Sequence, residues 1–355
     1  MTTAVIAFGL ALAASLGLTG PVRALALRVG MVDLPGPRKV HAAPIPLLGG
    51  LAIYGGVVVA ILALAVVLTM NDGAVTQIIG VLAGATLVAV VGIADDRGLL
   101  HHQIKLFVGM PVAGAILIAS GVRIHLVESL WPGGWAAAAD VGLTLLWVVG
   151  ITASFSIFDH MDGLCAGVAA MACAFFLIFA GLNGQVLVGT LAAAVLGAAL
   201  GFLRWNFSPA RIFMGDGGAM FVGFLMATLG LKLRFAEIPP ATSWMVPVLI
   251  LGVPIFDTML VSISRTRRGL LPFATPGKDH AAHRLANLGL GQRGAVVALY
   301  ALGGVFGALA IAVSRAGERA GWMIGGAALA ATLIGVAALE KAPYERQEKK
   351  TGISV

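Results

Sequence analysis

Charge is what this sequence has least of. Only 11% of its 355 residues are Asp, Glu, Lys or Arg, while 59% are hydrophobic. Soluble domains carry about 25% charged residues, and a soluble globule needs more polar surface than this composition supplies. A soluble enzyme, a disordered chain and a disulfide-rich secreted module are thereby excluded, which leaves a polytopic membrane protein. Cysteine is nearly absent too. Cys165 and Cys173 lie in one apolar run, roughly 12 Å apart along a helix, too far for a disulfide. They form no CxxC and no Cys/His zinc spacing. No HExxH is present, and no Gly-Lys-Ser/Thr completes a P-loop. No internal repeat or low-complexity linker divides the chain, so a single membrane domain over 1–340 and a charged cytoplasmic tail over 341–355 are expected.

Long apolar runs are what the chain has instead. A spanning helix takes about 20 mostly apolar residues. Eleven runs qualify: 2–20, 49–69, 75–94, 104–120, 139–158, 164–182, 184–203, 217–233, 243–264, 293–313 and 321–339. The first is read as a retained span, because no Lys or Arg precedes Arg23 to make a signal-peptide n-region. Gly and Ala are frequent within the runs, as close helix packing in lipid favours. The expected fold is an all-α polytopic membrane protein, a single bundle of about 11 transmembrane helices. Of the 23 Lys and Arg residues, 18 fall on one alternating set of loops and the tail. The other set holds only Arg123, Lys232, Arg234, Arg315 and Arg319. The positive-inside rule puts the basic set in the cytoplasm. That bias accounts for the net charge of +7 without a nucleic-acid partner.

Every stretch with distinctive chemistry lies on the basic side. Asp95 and Asp96 close the third run, and adjacent carboxylates at a membrane boundary require a cation or a proton. Lys105 follows at the start of the fourth run, where it reaches an anionic substrate or simply snorkels. Asp159 and Asp162 share a face if their segment is helical. Asp216, between Gly215 and Gly217 at a helix start, has the surroundings of a Mg²⁺ ligand. Asp257 lies inside a run three residues after Pro254. It is either functional or a partner for backbone groups freed by a proline kink. The longest basic loop, 265–292, carries His280, His283 and Arg284, a set suited to gripping nucleotide phosphate.

Taken in order, these stretches resemble the polyprenyl-phosphate N-acetylhexosamine-1-phosphate transferases, the superfamily of WecA-like and MraY-like enzymes. The resemblance runs from Val32 to Arg293. It rests on Val32-Asp33-Leu34-Pro35 with Arg38-Lys39-Val40-His41, on Asp95-Asp96 with Lys105, and on Asn206 to Asp216. Val253-Pro254-Ile255-Phe256-Asp257-Thr258 and Asp279 to Leu285 complete it. It implies cytoplasmic catalytic loops at an inner (plasma) membrane. The implied reaction moves N-acetylhexosamine 1-phosphate, GlcNAc-1-phosphate by the closer analogy, from a UDP-N-acetylhexosamine to polyprenyl (undecaprenyl) phosphate, releasing UMP. The product is the first intermediate of a lipid-linked cell-envelope glycan. Membrane lipids surround such an enzyme, and members of the family often form homodimers.

By the same resemblance Asp95, Asp96 and Lys105 are catalytic and Asp216 binds Mg²⁺ (or Mn²⁺). Asp159, Asp162, His280, His283 and Arg284 contact substrate. The chain departs from the family pattern Asn-x-x-Asn-x-x-Asp-Gly-x-Asp-Gly-Leu. Ala153 and Ser156 replace the asparagines, and His160 replaces the first glycine. Ser156, at a metal-neighbouring position, needs a water bridge or a shifted ion to take part. Ala282 stands where many relatives have another histidine. These departures motivate a second reading, a catalytically silent relative that binds lipid or nucleotide. A third, a transporter, calls for acids in several spans, and only Asp257 is plainly inside one.

Overall fold

The computed structural model describes residues 2–35, 43–67, 71–100, 102–235, 237–272 and 277–344. Eleven helices of ten residues or more carry the architecture: α1 (Thr2–Arg28), α2 (Gly50–Val67), α3 (Asp72–Asp96), α4 (Met110–Ala119), α5 (Ala136–Phe158), α6 (Leu164–Leu182), α7 (Val186–Asn206), α8 (Gly215–Lys232), α9 (Gly252–Arg267), α10 (Gly291–Arg315) and α11 (Glu318–Glu340). A π-helical turn, Lys105–Gly109, leads into α4. The described strands are β1 (Val32–Asp33) and β2 (Ile45–Pro46), an antiparallel pair with Val32 opposite Pro46.

Each apolar run is largely helical over its described residues, the run at 243–264 with a bend, but the expected eleven spans are reduced. Among the described residues, seven helical stretches are long and apolar enough to cross a membrane, or eight if the bent pair Pro240–Ile250 and Gly252–Arg267 is one span. Gly50–Val66 and Lys105–Ala119 are shorter. α8 has 18 residues with Asp216 and Lys232 at its ends, and its interior is wholly enclosed by protein. Its glycines and the charges at its two ends lower its apolarity, while the surrounding helices shield it from lipid. The chain is therefore a multi-pass membrane protein with a short, buried central helix.

Close backbone approach builds the bundle. α1 lies against α2 and α7. A Cβ on Gly197 would fall 2.3 Å from Phe8 O, and one on Gly201 would fall 2.7 Å from Leu12 O. This four-residue spacing of small residues is the packing device that bilayers favour, where helix association depends on van der Waals contact. Ser15 Oγ adds a buried hydrogen bond to Ala198 O at 2.8 Å. α8 packs against α3 and α5, and Phe155 of α5 and α8's own Phe221 and Phe224 are fully buried.

Candidate active site

The basic-loop stretches meet at one end of the bundle. The loop after α1 is tied to the loop before α8: Phe213 N donates to Pro46 O (2.8 Å), Gly49 N to Phe213 O and Gly50 N to Met214 O (both 2.9 Å). α8 starts at Gly215, whose φ of +74° suits glycine. α3 comes so close that a Cβ on Gly92 would lie 2.6 Å from the Asp216 backbone. This approach sets Asp96 over the α8 N-terminus. Its carboxylate accepts from Asp216 N (3.0 Å) and Gly217 N (3.2 Å), where free amides and the helix dipole favour negative charge.

Asp216 is the hub. Lys105 Nζ bridges Asp216 Oδ2 (2.5 Å) and Asp95 Oδ2 (2.6 Å). Ser156 Oγ donates to Asp216 Oδ1 at 2.8 Å. Asp96, Asp159, Asp162 and Asp216 all line one cavity of about 550 Å³, with Asp33, His160, Asn206, Lys278, His283 and Gln292 among its other lining residues. Burial, then the neighbouring charges of Asp216, Asp96 and Asp162, push the Asp159 carboxyl up to about 8. Five carboxyl groups around one cavity, Asp33 among them, are costly without a cation or a proton. Their all-oxygen donor set fits Mg²⁺ or Mn²⁺. Ser156 sits within reach of Asp216 as an orienting hydroxyl.

The 159–163 turn is braced from two sides. Asp162 Oδ2 accepts from Ala210 N at 2.9 Å, and Asn206 Oδ1 accepts from Gly163 N at 3.0 Å. Tyr300 O–H donates to Gly163 O at 2.6 Å. Asp162 therefore fixes the 207–214 loop while it lines the cavity.

The histidine-bearing segment divides. His283 lines the cavity; His280 and Arg284 do not. His280 is buried, with Nδ1 2.7 Å from Asp257 Oδ2. Asp257 Oδ1 also accepts from Ala281 N at 2.7 Å. Asp257 thus holds the short helix Ala281–Leu285, and these bonds, not amides freed at Pro254, take its carboxylate. Arg284 is 0% exposed. It donates to Asp279 O (2.7 Å), Leu339 O (2.8 Å), Glu340 Oε2 (2.9 Å) and Ser264 Oγ (2.9 Å). Its guanidinium carbon is 3.9 Å from the centre of the Tyr344 ring. Expected at the diphosphate, it is instead an internal tie between segments. Asp279 pairs with Arg265 and Arg268. Although burial opposes ionisation, these guanidiniums hold its carboxyl down at about 2. Burial and the adjacent His280 and His283 rings hold the His160 imidazole well below its usual pKa.

The structure thus gathers Asp95, Asp96, Lys105, Ser156, Asp159, Asp162 and Asp216 around one cavity wall, with His283 on its lining, and leaves His280 and Arg284 behind. Lys278 and Gln292 also line the cavity and were not singled out. Lys278 carried only its basic charge as a signal, and Gln292 carried none. Residues 38–41 of the first-loop motif, and all of the tail beyond 344, lie outside the described residues.

A multi-pass helical bundle with a carboxylate-rich cavity at one end defines a polytopic membrane protein with an acidic candidate active site. The sequence pattern of Glycosyl transferase family 4 matches residues 78–234. A Bacillus subtilis protein, the probable undecaprenyl-phosphate N-acetylglucosaminyl 1-phosphate transferase, is 35% identical, covering 89% of this chain and 86% of the relative. The decaprenyl-phosphate N-acetylglucosaminephosphotransferase of Mycobacterium tuberculosis is 33% identical over 89% of this chain and 85% of its own length. The Yersinia pestis undecaprenyl-phosphate alpha-N-acetylglucosaminyl 1-phosphate transferase is 28% identical over 80% and 79%. The chain belongs to glycosyl transferase family 4.

Proposed function

We propose that this protein transfers N-acetylglucosamine 1-phosphate from its UDP-sugar to a polyprenyl phosphate at the cytoplasmic face of the inner (plasma) membrane. A lipid phosphate oxygen forms a bond to the β-phosphorus, the bridging oxygen between the two phosphorus atoms leaves with its electron pair, and UMP is released. The observation that carries this reading is the cavity at the end of the bundle, where Asp96, Asp159, Asp162 and Asp216 converge with Lys278 and His283. The names of the relatives supply the substrate classes, and the 18-to-5 charge bias supports the cytoplasmic face.

Asp216 is the residue best placed to hold Mg²⁺, with Ser156 orienting Oδ1 and Asp159 nearby. Mg²⁺, or Mn²⁺ on the same oxygen donors, supplies charge neutralisation for two polyanions that must meet. Lys105, between Asp95 and Asp216, holds both carboxylates in register and offers positive charge to the incoming phosphate. Asp95 serves the lipid phosphate as base or positioning group. Asp96 fixes the start of α8 and so the direction of Asp216. Asp159 and Asp162 face the nucleotide, while Lys278 and His283 offer donors to the diphosphate. Arg284 and His280 act by positioning the 279–285 segment.

The test is product identity. Purified protein incubated with UDP-GlcNAc, undecaprenyl phosphate and Mg²⁺ should yield a lipid carrying two phosphates and one N-acetylhexosamine by mass spectrometry. A lipid that stays unmodified while UDP-GlcNAc binds would support the silent relative instead.

A further inference from the structure

The proposed reaction leaves one feature of the cavity wall unused. His160 sits where the family pattern has glycine, and among the described residues neither of its ring nitrogens has a hydrogen-bond partner although both are buried. Buried polar atoms are rarely left so, because each forfeits its hydration for nothing. The ring is not isolated: its centre is 4.0 Å from that of His280 and 4.8 Å from that of His283. Ligand atoms of His160, Asp257 and His280 lie within 4.8 Å of one another.

We propose that His160, His280 and Asp257 form a second cation site, separate from the oxygen-donor site at Asp216, that takes a borderline divalent transition ion of the Zn²⁺ class. Two imidazoles and one carboxylate are a donor set for such ions, whereas Mg²⁺ prefers oxygen alone. The Asp257–His280 contact of 2.7 Å already fixes one ring. Donors around tetrahedral Zn²⁺ are about 3.3 Å apart at its usual bond lengths, so the most distant donors must draw in by up to roughly 1.5 Å while His280 Nδ1 and Asp257 Oδ2, now 2.7 Å apart, open by roughly 0.6 Å. His160 is the member free to move, since its ring has no hydrogen bond to give up. Arg265 is the opposing charge, with Nη2 3.5 Å from His280 Nε2. Its two-point pair with Asp279 at 3.0 and 2.8 Å blunts that opposition. The ion would join the turn after α5 to α9 and to the 279–285 segment, three pieces of chain that together carry one wall of the cavity.

Tag-free, full-length protein in detergent is loaded with Zn²⁺, desalted and assayed for metal, and its affinity is measured by competition with a chromophoric chelator. The expected result is one Zn²⁺ retained per chain, with affinity at least about tenfold weaker in His160→Gly and in His160→Gln. Asp216→Asn should keep the tight equivalent. Zn²⁺ should also raise the unfolding temperature of the unsubstituted protein and leave that of His160→Gly unchanged. The two position-160 variants guard against misfolding of either, judged by monodisperse gel filtration. No retained Zn²⁺, equal affinity in the His160 variants, or loss of the equivalent in Asp216→Asn alone would each overturn the proposal.

Discussion

Arg284 ties the 279–285 segment to the end of α11. If it gripped the diphosphate, Arg284→Lys would raise KM for UDP-GlcNAc and leave folding intact. In the structure the side chain is fully buried and each guanidinium nitrogen is used. A lysine brings three donors to a single point and cannot serve the Asp279 and Leu339 carbonyls, Ser264 and Glu340 together. Each buried acceptor left unpaired costs about 1–3 kcal/mol. Removing one partner of a largely buried ion pair costs about 3–5 kcal/mol. Arg284→Ala should therefore destabilise the protein by about 3–5 kcal/mol and Arg284→Lys by about 2–3 kcal/mol, since lysine keeps the charge beside Glu340. The assay is thermal unfolding in detergent alongside KM measured well below the transition. A drop of several degrees in Tm with KM within about threefold is expected. An unchanged Tm with KM raised tenfold or more would refute the assignment.

Other predictions follow from the cluster at Asp216. Asp95→Asn should lower turnover about 10²-fold or more, the scale of a lost general base. Asp216→Asn should raise the Mg²⁺ concentration for half-maximal activity; near-normal kinetics in both variants would remove these residues from the site. Ser156→Asn restores the family amide beside Asp216 and should lower the half-saturating Mg²⁺ with turnover kept, whereas unchanged Mg²⁺ dependence would show that position 156 does not address the ion. Asp159 gives a pH signature. Its folded pKa of about 8 exceeds the ordinary value near 4, so the folded state holds the extra proton and stability falls as pH rises from about 4 to 8. Chelator-treated protein should melt lower at pH 8.5 than at pH 6, and Mg²⁺ should narrow that gap; a flat profile would contradict it.

Much of this was legible in the sequence. All eleven apolar runs are largely helical over their described residues, and the acids at 95–96, 159–162 and 216 converge as their common placement on basic loops suggested. What was hidden has physical causes. Arg284 looks like any arginine in a basic loop. Its fate depends on Leu339 and Glu340, more than fifty residues on, and on the Tyr344 ring. Asp257 was ambiguous because an acid near a proline can serve the kink or something distant. The structure shows that it serves His280 and Ala281. That α8 is enclosed by other helices is likewise a property of packing that its length and apolarity do not display. His160 was visible as a departure, but its unpartnered ring nitrogens are a property of packing that no spacing displays.

Transfer of the sugar together with its phosphate is distinguished from transfer of the sugar alone by the nucleotide released. Protein given UDP-GlcNAc, undecaprenyl phosphate and Mg²⁺ should release UMP in step with lipid product, and Asp216→Asn should suppress both at low Mg²⁺. Release of UDP in place of UMP would mean that the sugar moves without its phosphate, and the account would be wrong.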